Sequence, residues 1–304
     1  MRLQALSTAT AAFQTSTKTT GYASNVANMP REYTSWKMAL SPMTRKIWSM
    51  RNSGTMKAGI RTTRMQLLTT SNPKIQKGVK RGYFTTIQHF APSKLSGVNV
   101  CLDATPECIR FCLNKAGRGG IFKAGEKTNV IQEARKRRTR FFHNDIVGYH
   151  TKLIKEITAH VKRANKLGLK PCVRLNGTSD LSWEEGFAPL FWRFENVQFY
   201  DYTKSFDRMM RYLKGPWPTK NYHLTFSRSE LNDAECNKVL AAGGSVAVVF
   251  ESVPHTFRGR PVHDGDSDDL RFLDPPGSWV GLKAKGKLAR ELSSFKITTY
   301  GGWK

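Results

Sequence analysis

The sequence predicts an α/β fold: a complete or partial (βα) barrel with parallel strands, preceded by a basic N-terminal extension. Three observations carry this. From residue 82 onward, short apolar stretches alternate with polar loops and amphipathic helices at a spacing of roughly 25 residues, the signature of βα units. Residues 245–250 (SVAVVF) are almost wholly apolar, as a strand covered on both faces is. Polar side chains gather after each strand, where a parallel barrel builds its active site.

The boundaries follow from composition. The chain has 304 residues and a formal net charge of +26. Residues 1–96 hold fifteen Lys and Arg against one acid, Glu32. Residues 1–81 therefore read as a basic extension, and 82–304 as the barrel-like domain. Within the extension, 1–30 are Ser, Thr, Ala and Asn, a tail. Trp36, Met38, Leu40, Met43, Ile47, Trp48 and Met50 predict short helices packed on the domain. Such an excess of positive charge predicts a polyanionic partner, and nucleic acid fits better than a membrane surface because no basic helix shows a clean apolar face. No apolar run approaches the ~20 residues of a membrane span. The start lacks the continuous apolar stretch of a secretory signal. Five cysteines, unevenly spaced, do not form a disulfide scaffold and predict a reducing, intracellular setting.

Residues 82–90 are β-branched and aromatic and predict the first strand. Three of the five cysteines follow within twelve residues: Cys101, Cys108 and Cys112. Thiolates that close can share an iron–sulfur cluster or a zinc ion. A closed zinc site wants four ligands, and the nearest histidine is His89, twelve residues before Cys101. Three buried thiols are the plain alternative. Pro106 and the polar Asp103, Thr105 and Glu107 favour a ligand loop entering a helix.

Apolar residues at helical spacing run from 128 to 167, with Gly148 as a candidate break. Arg135, Lys136, Arg137, Arg138 and Arg140 crowd this segment. They either splay into solvent or line a phosphate-binding surface. Strands follow at 170–176, 196–202, 222–226, 245–250 and 277–285, with helices at 183–194, 206–213 and 231–242. The loops after them offer Asn176, Gly177, Thr178, Ser179 and Asp180, then Thr203, Lys204 and Ser205, then Ser227, Arg228 and Ser229, then Glu251, Ser252 and His255. Lys204 and Asp180 are the candidate catalytic groups. Asp264, Asp266, Asp268 and Asp269 leave magnesium-dependent nuclease chemistry open. A polar turn paired with Arg258, Arg260 or Arg271 is the favoured reading.

Taken in order, the cysteine loop, Val173-Arg-Leu-Asn-Gly-Thr-Ser-Asp180, Tyr200-Asp-Tyr-Thr-Lys204, Tyr222-His-Leu-Thr-Phe-Ser227, Val246-Ala-Val-Val-Phe250 and Asp264-Gly-Asp-Ser-Asp-Asp-Leu-Arg-Phe272 resemble the phage gene-product-88-like proteins over about residues 83–290. The resemblance implies a bacteriophage origin and the cytoplasm of a bacterial host; it brings no established activity. That family is in turn similar to radical S-adenosylmethionine enzymes. Carried over, Cys101, Cys108 and Cys112 would ligate a [4Fe-4S] cluster. Asn176, Gly177, Thr178 and Asp180 would meet S-adenosylmethionine. The spacing Cys-x6-Cys-x3-Cys is longer at both gaps than the usual Cys-x3-Cys-x2-Cys. The rival expectation is a nucleic-acid-binding replication protein or metal-dependent nuclease with structural cysteines.

Overall fold

The computed structural model describes residues 65–215 and 220–298. The tail and the short helices expected up to residue 64 lie outside the described residues.

A ten-stranded, mostly parallel sheet organises the chain. Strands β1 (Leu68–Thr69), β2 (Tyr83–Gln88), β3 (Lys170–Arg174), β4 (Gln198–Thr203), β5 (Tyr222–Ser227) and β6 (Val246–Phe250) lie in sequence order. Beyond β6 come β9 (Trp279–Lys283), β8 (Arg260–Asp264) and β7 (Thr256–Phe257). Only the β1–β2 and β7–β8 pairs are antiparallel. Strand β10 (Lys296–Ile297) joins β6 beside residues 249–250, past the point where β5 pairs with it at 246–247. Sequential parallel order is what successive βα units give. The strand path is open, ending at β1 and β7.

The helices explain themselves locally. Asn129 caps α3 (Val130–Asn144), its side chain accepting from the N–H groups of Ile131 and Gln132. Asp145 ends α3 and caps α4 (Ile146–Lys166), accepting from the Gly148 N–H. The helix break thus falls at Asp145, not at Gly148. Gly148 sits in the first turn of α4 because a Cβ there would meet Asp145 Oδ2 at 2.2 Å. The helix expected over 183–194 is two short ones, α5 (Trp183–Gly186) and α6 (Pro189–Arg193); Pro189 opens the second rather than continuing the first. Helices α1 (Pro73–Gln76) and α2 (Pro106–Arg110) also begin at proline, and α7 (Phe206–Lys214), α8 (Asp233–Ala241) and α9 (Lys287–Arg290) complete the set. The core lies between sheet and helices, around Tyr149, Leu153, Ile157, Val173, Phe191, Phe199, Phe226 and Trp279.

Parallel β8 and β9 need a crossover, and residues 265–278 supply it without an α-helix, as loop with one 3-10 turn (Arg271–Leu273) that carries Asp268, Leu270 and Arg271 into the interior. Asp269 receives Lys74 (3.3 Å), Arg174 of β3 (3.0 Å) and the Tyr200 hydroxyl of β4 (3.1 Å). Asp268 pairs with Arg81 (2.8 Å) and Arg271 (3.2 Å). The crossover therefore ties the β8–β9 end of the sheet to β2, β3 and β4. Three of the four acids pair with cations, but of the three expected partners only Arg271 takes part; Asp266 pairs with Lys285 at 2.6 Å, and Asp264 accepts from the Asp266 N–H at 2.8 Å.

Candidate functional site

Strand β2 ends at Gln88, and its outgoing loop carries all three clustered cysteines to the carboxyl ends of the parallel strands. Thr105 caps α2, its hydroxyl accepting from the Cys108 N–H at 3.3 Å. The same hydroxyl donates to Glu230 Oε2 at 2.8 Å, and the Glu107 N–H donates to Glu230 Oε1 at 3.2 Å. Glu230 follows β5, so one carboxylate pins the cysteine loop to the far side of the mouth. Ser293 donates to Glu107, and Arg110 pairs with Glu291 at 2.8 Å. Arg135 of α3 donates to Asn114 Oδ1 at 2.5 Å, just beyond Cys112.

The thiols are half-buried. Cys101 Sγ accepts from the Ser93 N–H at 3.4 Å and faces the Thr178 carbonyl at 3.8 Å. Burial pushes its pKa up to about 12, and Cys112, Asp180 and Cys108 push the same way. Cys112 is also raised, chiefly by burial and further by Cys108, while Arg135 and Lys204 pull it down. Among the described residues no three His, Cys, Asp or Glu side chains are gathered closely enough to hold a single metal ion.

The β3 loop beneath them is held by its own hydrogen bonds. Asn176 Nδ2 donates to the Leu181 carbonyl (2.9 Å) and Asp201 Oδ2 (3.2 Å), and its Oδ1 accepts from Ser179 and the Leu181 N–H. The Gly177 N–H donates to the Gln88 carbonyl at 2.9 Å, and the Thr178 hydroxyl to the Phe90 carbonyl at 2.6 Å. Asp180 accepts from the Lys204 N–H (2.7 Å) and from Arg208 (2.8 Å). The loop residues named from the sequence therefore converge at the mouth, and their polar atoms hold it together. Lys204 Nζ lies over the Phe295 ring at 5.4 Å. Beside it a cavity of about 240 Å³ is lined by Asp103, Lys204, Ser205, Asp207, Asn232 and Glu235 among others. Asp103 is raised by burial and by Asp180. His89, half-buried under the loop, is pushed down to about 3 by burial and by Arg135, Arg174 and Arg138.

The basic cluster of α3 is not one surface. Arg135 binds Asn114, Lys136 pairs with Glu133 (2.9 Å), and Arg138 donates to the Gln66 carbonyl (2.7 Å). Arg137 and Arg140 are exposed, and Arg140 Nε donates to the Ser96 carbonyl at 3.3 Å.

The sequence profile of the phage family gene product 88 matches residues 65–298. The chain belongs to the gene product 88 family. The match begins three residues before β1 and ends one residue after β10, so it spans the whole described sheet and the cysteine loop. No curated protein and no solved structure matches the chain. Glu230, Ser293 and Thr105, which clamp the cysteine loop, were not among the residues the sequence singled out as site residues. Thr105 three residues before Cys108 is a readable capping signal; the partners of Glu230 and Ser293 lie more than 100 residues away in the chain. No helix among the described residues is long and apolar enough to cross a membrane.

Proposed function

We propose that this gene product 88 protein is an iron–sulfur protein of the radical S-adenosylmethionine type, with a partial-barrel mouth, working beside nucleic acid in the cytoplasm of a phage's bacterial host. The observation that carries it is the loop leaving the first parallel strand, which brings three half-buried thiols to the strands' carboxyl ends, with Cys101 on the Thr178 carbonyl. The donor set suits iron and sulfide, since thiolates are soft ligands. Cys101, Cys108 and Cys112 would hold the cluster, which would supply one-electron chemistry on adenosylmethionine.

The chain's own residues have definite parts in this reading. Lys204 and Arg135 favour the thiolate form of Cys112, against the burial that disfavours it. Asp180 accepts the Lys204 N–H and anchors Arg208, so it is a positioning residue that sets Lys204 at the edge of the cavity. Thr178 presents its carbonyl to Cys101 while its hydroxyl is fixed on β2's outgoing loop.

A second reading has one observation in its favour. Asn176 has both side-chain polar atoms engaged inside the protein, which leaves adenosylmethionine fewer free donors. In that reading the chain is a nucleic-acid-binding phage protein, or a metal-dependent nuclease, with structural cysteines. Anaerobic purification separates the two. The cluster reading expects brown protein with iron and acid-labile sulfide in equal amounts, bleached by Cys108→Ala. Colourless protein carrying no iron after reconstitution would overturn it.

A further inference from the structure

Helix α4 carries Lys155, Lys162 and Lys166 exposed on one side, at spacings of seven and four residues, with Arg163 exposed beside them. Its one acid, Glu156, is turned away: it accepts from the N–H groups of Leu67 and Leu68 and pairs with Lys152. The helix leads into β3, whose first residue, exposed Lys170, donates its N–H to the Gly82 carbonyl at 2.9 Å. Exposed Lys80 stands two residues before Gly82. His160 Nε2 lies 3.0 Å from the Phe84 carbonyl, which fastens the last turns of α4 onto β2. Arg163 covers the Phe84 ring at 5.4 Å and Lys170 the Tyr83 ring at 5.6 Å.

Five of these cations, Lys80, Lys162, Arg163, Lys166 and Lys170, share one side of the molecule at the amino ends of β2 and β3, while Lys155 stands farther along α4, beside Glu156 at the level of Gln88. Among the described residues none of them pairs with a carboxylate. No acid occurs in the sequence between Glu156 and Asp180. The negative end of the helix dipole accounts for Arg163 and Lys166 in the last turn. It does not account for Lys80, Lys155, Lys162 or Lys170. The mouth is different: its cavity sets Asp103, Asp207 and Glu235 against Lys204 alone, a charge balance that repels phosphates.

We infer that the surface formed by Lys80, Lys162, Arg163, Lys166 and Lys170 is where the protein grips the phosphate backbone of nucleic acid, on the side away from the thiols. This rests on the reading of nucleic acid as partner and assigns it a place. Nucleic acid is then the platform that holds the protein, not the molecule that enters the mouth. Binding is independent of base sequence, because flexible lysines read backbone charge and not base edges.

The test uses the full chain and fluorescence anisotropy with a mixed-sequence DNA duplex over a range of salt. Lys162→Gln/Lys166→Gln/Lys170→Gln is compared with a variant of equal charge change at the cysteine loop, Arg118→Gln/Lys123→Gln/Lys127→Gln. The α4 variant should bind about tenfold more weakly or worse, its salt slope reduced by about 0.9 for each phosphate that is no longer neutralised. The cysteine-loop variant should stay within about twofold of the parent. Parent protein that binds no duplex sinks the partner itself. Parent that binds while both variants weaken equally, or neither does, sinks this surface alone. So does an α4 variant that loses anionic phospholipid vesicles but keeps DNA. Circular dichroism on each variant separates lost binding from lost folding.

Discussion

Arg208 lies wholly inside the protein and grips Glu184 with two parallel hydrogen bonds, Nε to Oε1 at 2.6 Å and Nη2 to Oε2 at 2.7 Å. Its remaining nitrogen holds Asp180 at 2.8 Å, and Nη2 also reaches the Tyr222 hydroxyl at 2.7 Å. One α7 side chain thereby fixes α5, the β3 loop and β5 in a single network. Buried pairs of this kind are costly to break from one side, because the partner charge is stranded.

Arg208→Met should therefore destabilise the fold by about 3–5 kcal/mol, read as a lower urea midpoint. Adding Glu184→Leu should restore part of the loss, since the stranded carboxylate goes. A single variant that unfolds like the parent would show the network to be idle.

The pH dependence of stability has two opposed contributions. Asp201, fully buried, is raised from 3.8 to about 7 by burial, against the pull of Arg208 and the Asn176 N–H. In the folded chain it keeps its proton up to about pH 7, whereas unfolded it releases it near 3.8. Between these values the folded state binds more protons, so this contribution falls as pH rises. Asp269 is the reverse: Arg174, Lys74 and Arg271 outweigh burial and lower it from 3.8 to about 2. Its contribution is present above 3.8 and is lost as pH falls through about 2. Asp201→Asn should flatten the decline between about pH 4 and 7 in urea midpoints. Asp269→Asn should leave that window's slope unchanged.

These two carboxylates also mark where the sequence stopped being informative. The strands holding the core were legible because 245–250 and 170–176 are apolar runs ended by polar loops, a local signal. The cysteine loop was legible for the same reason, its three sulfurs lying within twelve residues. Asp269 looked like one acid in a polar turn. Its burial depends on Arg174, 95 residues earlier, and on a β8–β9 crossover that has no α-helix to announce it. Arg135 and Arg138 looked like surface charge because nothing local says that Asn114 and the Gln66 carbonyl stand opposite them. Two-residue strands such as β1, β7 and β10 are too short to show a period of two.

Gly177 is where strand packing and the mouth meet. A Cβ there would lie 2.3 Å from the Gln88 carbonyl oxygen and 2.9 Å from both His89 and Ile87. The backbone of β2 cannot withdraw without losing its pairing to β3. Gly177→Ala should cost about 1–3 kcal/mol and shift the Thr178 carbonyl away from Cys101. The expected readout is lower thermal stability together with reduced iron retention after anaerobic reconstitution. Loss of stability with iron retained in full would confine Gly177 to the fold.

The thiols themselves give the sharpest chemical test. Burial raises Cys101, Cys172 and Cys236 each to about 12, so near neutral pH all three are almost wholly protonated. Alkylation proceeds through the thiolate. In metal-free folded protein these three should resist iodoacetamide near neutral pH, and their rates should climb about tenfold per pH unit, as peptide mass spectrometry would show. Cys172 sits within β3 and Cys236 within α8, both buried with no metal role. Cys101 differs because a ligand must be deprotonated, so cluster assembly has to expel its proton and should strengthen as pH rises. Once iron is loaded, Cys101 should stay unmodified at high pH while Cys172 still gains its tenfold steps. Cys101 alkylating as fast as an unfolded peptide thiol, in folded protein, would remove the buried ligand on which the cluster site depends.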